Sequence, residues 1–199
     1  GDVYKRQAIN IVNEGKIKSL SYFTLWSLIK EVGCSLSVLE QDQKKPVIGI
    51  LSHNQLNWIL VDLACLAFGF KIVPIPVNAT SEHVSFILKH SEVTHLFLGG
   101  KKGNDIWSDI IDRSLIRTIA MDEKVKIDES ISWEQFLELG DKSDTFNVYE
   151  KMNSVNINDN QSIMYTSGTT DNPKGIMFSQ FNMISCLLYT SPSPRDLYR

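Results

Sequence analysis

The residues best equipped for chemistry lie together in one stretch, SIMYTSGTTDNPKGIMFSQ, Ser162 to Gln180. Two apolar runs, Ile163 to Tyr165 and Ile176 to Phe178, flank a loop of Thr, Ser, Gly, Asn, Pro and Lys. If the runs are strands, the loop is a hairpin tip whose backbone N–H groups are free to point outward. Thr166, Ser167, Thr169 and Thr170 add hydroxyl donors, and Gly168 allows a close approach of the backbone to a ligand. Lys174 adds a mobile point charge of the sign that phosphates attract. Small donors gathered around one lysine suit a polyphosphate better than they suit the solvation of a plain turn. The stretch is not a G-x-x-x-x-G-K-[ST] loop: Pro173 takes the place of the second glycine, and no hydroxyl residue follows Lys174.

Such a tip needs a frame, and the upstream sequence supplies alternating helices and strands. Tyr22, Leu25, Trp26, Ile29 and Val32 recur at helical spacing, predicting an amphipathic helix from Ser21 to about Gly33. VIGIL, Val47 to Leu51, is short, apolar and rich in β-branched residues, so it reads as a buried strand. Leu56, Ile59, Leu60, Leu63, Ala64 and Ala67 mark a second helix, capped by Asn54 or Asn57 and stopped by Gly69. A strand at Ile72 to Ile75 and a helix capped by Ser81 follow. Next come a strand at His95 to Leu98, a helix at Asn104 to Asp112 and a strand at Ile116 to Ala120. Ser132 and Gln135 have the spacing of a capping box for the helix WEQFLEL, with Gly140 as its stop. From Gly140 to Asn160 the chain is polar and reads as a connection. This alternation predicts an α/β fold, a doubly wound and mainly parallel sheet flanked by helices. Trp26 and Trp58 sit on apolar helical faces and are expected in the core. His53, His83, His90 and His95 have no metal-ligand spacing and read as solvated or satisfied, with His83 and His90 facing water. The segment Asp122 to Asp128 reads as a solvated loop, and Ser52, Asn54 and Asn57 carry no role beyond a turn and helix cap.

The string YTSGTTDNPKG, Tyr165 to Gly175, resembles the signature of the adenylate-forming superfamily, usually YTSGTTGxPKG. That superfamily contains acyl-CoA synthetases, firefly-type luciferases and peptide-synthetase adenylation domains. The resemblance continues upstream through Tyr22 to Leu25 and through Val47 to Ile75. Ser81 to Leu98 and Ser132 to Gly140 are similar to the long-chain fatty-acid branch in particular. It implies the amino-terminal part of a large domain that binds ATP with Mg2+, activates a carboxylic acid as acyl-AMP, and passes it to coenzyme A. Carried over by position, Thr166, Ser167, Gly168, Thr169, Thr170 and Lys174 are the nucleotide-phosphate ligands, with Lys174 against the leaving pyrophosphate. No catalytic acid, base or nucleophile falls within the chain, and the family's magnesium-binding glutamate and mobile-domain lysine lie beyond it, so the chain alone should not turn over. Asp171 departs from the pattern, placing a carboxylate and a Cβ where glycine is usual. Gln180 stands where the family often has histidine near the acyl site. Loading of a carrier-protein thiol, and a nucleotide-binding relative without catalysis, remain open alternatives.

Bulk properties narrow the field. A chain of 199 residues with 43% apolar and 22% charged residues is ordinary for a globular domain. A net charge of -3 gives no electrostatic case for a nucleic-acid partner. The three cysteines match no zinc or redox pattern, which points to a reducing, cytoplasmic setting. No apolar run approaches the roughly 20 residues of a membrane span, which leaves peripheral membrane contact open. Both ends read as non-native. Asp2 to Gln7 can be encoded by GAT GTG TAT AAG AGA CAG, whose reverse complement, shifted one base, encodes Cys186 to Thr190. They look like two strands of one transposase adapter. The expected organisation is therefore 1–7 adapter-like, 8–158 an α/β lobe, 159–185 a phosphate-binding strand–loop–strand that starts a second lobe, and 186–199 an adapter-like tail.

Overall fold

The computed structural model describes residues 7–13, 16–40, 45–110, 116–141, 148–166 and 172–190. It opens with an antiparallel pair, β1 (Gln7–Asn13) and β2 (Lys16–Ser21), that the helix-and-strand reading did not foresee. Then come α1 (Tyr22–Val38), β3 (Val47–Leu51), α2 (Leu56–Phe68), β4 (Lys71–Pro74), α3 (Ser81–His90) and β5 (His95–Leu98). The second half comprises α4 (Gly100–Ser108), β6 (Arg117–Ala120), β7 (Ile131–Ser132), α5 (Trp133–Asp141), α6 (Val148–Asn153), β8 (Asn160–Thr166), β9 (Lys174–Ser179) and α7 (Gln180–Thr190).

Among the described residues seven strands form one sheet in the order β7-β6-β5-β3-β4-β8-β9, parallel throughout except for the antiparallel β8–β9 pair. A parallel sheet hides both faces, so its strands must be apolar along their length. In β3, Ile48, Ile50 and Leu51 are fully buried. Alternation sends Ile48 and Ile50 to one core and Leu51 to the other. The first core joins that face to Leu25, Ile29, Val32 and Leu36 of α1, Leu60, Ala64 and Phe68 of α2, and Phe136 of α5. The second holds Val84, Ile87 and Leu88 of α3 with Ile106 and Trp107 of α4. The expected doubly wound sheet is therefore present.

Several local expectations need correction. The buried stripe of α1 runs Leu25, Ile29, Val32, Leu36, whereas Tyr22 and Trp26 are 53% and 38% exposed. Trp26 follows Leu25 by about 100° around the helix, and periodicity does not say how wide a stripe the neighbours cover. Thr80, not Ser81, caps α3, its hydroxyl accepting from the His83 amide at 3.2 Å, while Ser81 donates to Asp109. Gln55 holds the N-cap position of α2 without a side-chain bond to the helix's own amides, and Asn57 instead donates to the Met121 carbonyl at 2.8 Å. Helix α4 starts at Gly100 rather than Asn104. The polar connection contains α6, whose Val148 and Met152 pack on the first core. Lys151 of that helix pairs with Glu40 and lies 4.9 Å from the Phe70 ring centre.

The capping box at α5 is formed as expected. The Gln135 amide donates to Ser132 Oγ, and the Ser132 amide donates to Gln135 Oε1. Gly140, however, lies inside α5 and does not stop it. A Cβ there would lie 2.7 Å from Ser35 Oγ and 2.8 Å from the Ser35 amide nitrogen. The glycine is what lets α5 close on α1, a distant neighbour that no local pattern reveals.

Candidate functional site

The hairpin predicted around the Thr/Ser/Gly loop is formed. Residues Ser162, Ile163, Met164, Tyr165 and Thr166 face Phe178, Met177, Ile176, Gly175 and Lys174 in antiparallel register. Thr166 and Lys174 are thus the last pair before the loop, brought opposite each other by the strands, and both are exposed. The other predicted ligands, Ser167, Gly168, Thr169 and Thr170, and the departure Asp171, lie outside the described residues. Parallel pairing of β8 with β4, at Ile72 and Ser162, puts the hairpin mouth at the carboxyl ends of the sheet strands. In open α/β sheets that edge is where ligands bind.

A groove of about 720 Å3 runs beside the mouth, its walls including Trp58, Pro74, Ile75, Pro76, Met164 and Tyr165. Its mostly apolar lining, next to an exposed lysine and threonine, can take an uncharged extended group next to a charged one. Among the described residues no group of three or more His, Cys, Asp or Glu is arranged to hold a metal ion. The donor set here, a hydroxyl and an ammonium, fits phosphate oxygens; a magnesium ion would have to be held through those oxygens and residues outside the described set.

The chain order reverses between β3 and β5, since β3 leads to β4 on one side and β5 to β6 on the other. Ligands commonly enter such a crevice, but here it is filled from within. Asp122 Oδ2 accepts from the Gly100 amide at 2.7 Å and from Gln55 Nε2 at 3.1 Å, and Oδ1 accepts from the Lys124 amide at 2.9 Å. Gln55 also donates to Ser52 Oγ at 2.7 Å. An internal carboxylate therefore satisfies the Gly100 amide at the start of α4. This corrects one expectation, since Asp122 is not simply solvated; Ser52, buried, holds the turn after β3 by donating to the His53 carbonyl at 2.8 Å.

The residues that seat the hairpin were largely missed in the sequence. Tyr165 is 8% exposed, and its hydroxyl shares a 2.7 Å hydrogen bond with His90 Nδ1 at the end of α3. Burial pushes its phenol above the ordinary value, and a hydrogen bond with Ser91 offsets part of that. His90 is exposed as expected but is not simply facing water. His95 differs more: it is buried, Nδ1 lies 3.0 Å from Thr94 Oγ1, and Nε2 has no hydrogen-bond partner among the described residues. Burial, with the Arg117 charge beside it, lowers its pKa to about 4 and keeps it neutral. Gln180 donates to the Leu66 carbonyl and to Gln161 Oε1, at 2.6 Å for the latter, so its amide fastens α7 to α2 and β8. A glutamine flanked by strand and helix patterns carries no signal for such a tie.

With this geometry the chain can be placed by comparison. The AMP-binding enzyme family matches residues 3–197, and the chain belongs to it. Long chain acyl-CoA synthetase 4 of Arabidopsis thaliana is 29% identical over 185 residues, covering 87% of this chain and 27% of the relative. Fatty acyl-CoA synthetase A of Dictyostelium discoideum is 29% identical over 193 residues, covering 90% of this chain and 27% of the relative. The chain thus spans about a quarter of the length of the curated relatives it matches. Among solved structures, a benzoate CoA ligase from Burkholderia xenovorans LB400 superposes with a TM-score of 0.69 at 16% identity, over 96% of this chain and 35% of that one. A Mycobacterium tuberculosis fatty acyl CoA synthetase gives 0.60 at 21% identity, over 82% and 30%. At these identities the solved structures speak to the fold. The family match places the chain among the AMP-binding enzymes, and the similar relatives bear the names of long-chain and fatty acyl-CoA synthetases.

Proposed function

We propose that this chain carries the ATP-phosphate grip of an acid–coenzyme A ligase that activates a fatty acid as acyl-AMP and transfers the acyl group to coenzyme A. The observation that carries the reading is the Thr166–Lys174 pair, set at the mouth of a hairpin on the carboxyl edge of the sheet. The names of the most similar relatives, long-chain and fatty acyl-CoA synthetases, support the acyl and coenzyme A parts. Thr166, Ser167, Gly168, Thr169 and Thr170 would hold phosphate oxygens, and Lys174 would meet charge that develops on the departing pyrophosphate. An acid oxygen bonds to the α-phosphorus as the bond to pyrophosphate breaks, so the protein's part is positioning and charge stabilisation. Magnesium bound to the phosphates would supply further charge neutralisation.

The test is Lys174→Ala in the complete enzyme, followed as two half-reactions. Acid-dependent exchange of pyrophosphate into ATP should fall by tenfold or more, each tenfold being about 1.4 kcal/mol of transition-state stabilisation. Thioester formation from acyl-AMP supplied ready-made should change much less. Equal losses in both would remove Lys174 from this role.

A further inference from the structure

Resting on the phosphate-grip reading, we propose that Tyr165 and His90 are positioning residues that fix the base of the loop to helix α3. The register places Tyr165 opposite Gly175, one pair inside Thr166 and Lys174. A Cβ built on Gly175 would lie 3.1 Å from Tyr165 Cζ and 3.2 Å from Cε1, so the ring lies across the glycine. One aromatic ring therefore covers both strands at the root of the loop. Its hydroxyl continues to His90 Nδ1 at 2.7 Å, and the rings meet edge to face with centres 5.9 Å apart. His90 is held in turn by Phe86, one turn earlier on α3, stacked at 5.2 Å and 20°. The chain Phe86–His90–Tyr165–Gly175 thus runs from a core helix to the lysine's own neighbour.

The consequence is directional. The antiparallel pair ends the sheet, and β8 registers with β4 at Ile72 and Ser162, so the Thr166–Lys174 end of the hairpin lies beyond that register pair. The phenol, bonded to His90 and Ser91 at the end of α3, restrains that end of the hairpin, because tilting it would break the hydroxyl's bonds to a separate element. Thr166 and Lys174 then keep their separation and heading without a ligand, so less ordering is needed when the phosphates bind.

The experiment uses the 199-residue chain and four variants, Tyr165→Phe, His90→Ala, His90→Gln and Gly175→Ala. Amide hydrogen exchange is read at Thr166, Lys174, Gly175 and Ile176, and MgATP affinity is read by calorimetry. Tyr165→Phe and His90→Ala should speed exchange at those amides several-fold while leaving the β3 and β5 amides unchanged. They should also weaken MgATP about five- to tenfold, the weight of one hydrogen bond. His90→Gln keeps a polar group facing the phenol and should restore most of both effects. Gly175→Ala should displace the ring and copy Tyr165→Phe. Unchanged exchange in Tyr165→Phe and His90→Ala would overturn the inference. So would faster exchange spread over the whole sheet, which would mean a general loss of stability. If the unaltered chain shows no MgATP binding while exchange responds as described, the phosphate-grip reading fails and the positioning role stands.

Discussion

Two ionisable side chains, half-buried Asp62 and buried His95, pull the acid stability of this chain in opposite directions. Asp62, in the apolar helix α2, has its pKa raised to about 6 by burial. Its ionised form is disfavoured in the fold, so between pH 6 and the ordinary value of 3.8 the folded state holds a proton that the unfolded state has released. Lowering the pH through that window therefore stabilises the fold, by up to ~3 kcal/mol for a shift of about two units. His95 does the reverse: its pKa is lowered from 6.5 to about 4, so over that range the unfolded chain takes up the proton first and stability is lost on acidification. With both present the two contributions largely cancel near pH 5. Asp62→Asn should raise stability at pH 7 and unmask a steep loss between pH 6.5 and 4, measured by urea unfolding across that range. His95→Gln should give the opposite slope. Parallel curves for all three proteins would show that neither group is held as described. At the loop, Asp171 sets a third residue-scale test. A carboxylate ~4 Å from a phosphate charge is opposed by about 1 kcal/mol in water and about 4 kcal/mol at an effective dielectric of 20. Asp171→Asn removes charge alone and Asp171→Gly removes charge and Cβ. Tighter MgATP binding in both identifies charge as the obstacle, tightening only in the glycine variant identifies backbone freedom, and no gain in either means the carboxylate points away from the nucleotide.

At the scale of elements, the packing of α5 on α1 turns on Gly140. Helix propensity alone favours Gly140→Ala by up to about 1 kcal/mol, because Gly140 lies within the helix. The contact says otherwise, since a Cβ would press on the backbone nitrogen and hydroxyl of Ser35 at 2.8 and 2.7 Å. Ser35 also donates to the Leu137 carbonyl at 3.1 Å, so it cannot retreat without breaking the tie between the two helices. Overpacking of this kind costs about 1–3 kcal/mol, which outweighs propensity. Gly140→Ala is therefore expected to lower the urea midpoint, and a raised midpoint would show that the two helices can part cheaply. The same logic separates the two ends of α7. Gln180 and Asn182 are bonded to neighbours, with Asn182 Oδ1 accepting from the Ser179 amide at 3.1 Å, whereas Leu187 is 63% exposed.

For the whole molecule, that difference gives a prediction about its boundary. Removing residues 186–199 should leave the thermal midpoint of the chain unchanged, since Leu187 is exposed and the segment reads as an adapter-like tail. A lower midpoint would show that this segment packs in the fold. What the amino-acid sequence determined by itself was set by short-range pattern. Apolar β-branched runs such as VIGIL specified strands, the Ser132–Gln135 spacing specified a helix start, and the flanking runs of the Thr/Ser/Gly stretch specified a hairpin with Thr166 and Lys174 in its loop. Each depends on neighbours within a few residues, and backbone geometry makes those neighbours inevitable. The tertiary structure alone decided which distant surfaces meet: β8 beside β4, the Tyr165 hydroxyl on His90, Asp122 in the crevice between β3 and β5, Ser35 against Gly140. Strand order and helix docking are chosen by how two whole cores fill, and the side chains concerned, a histidine, an aspartate, a glycine, have the same local signature whether they face solvent or a partner 22, 75 or about a hundred residues away.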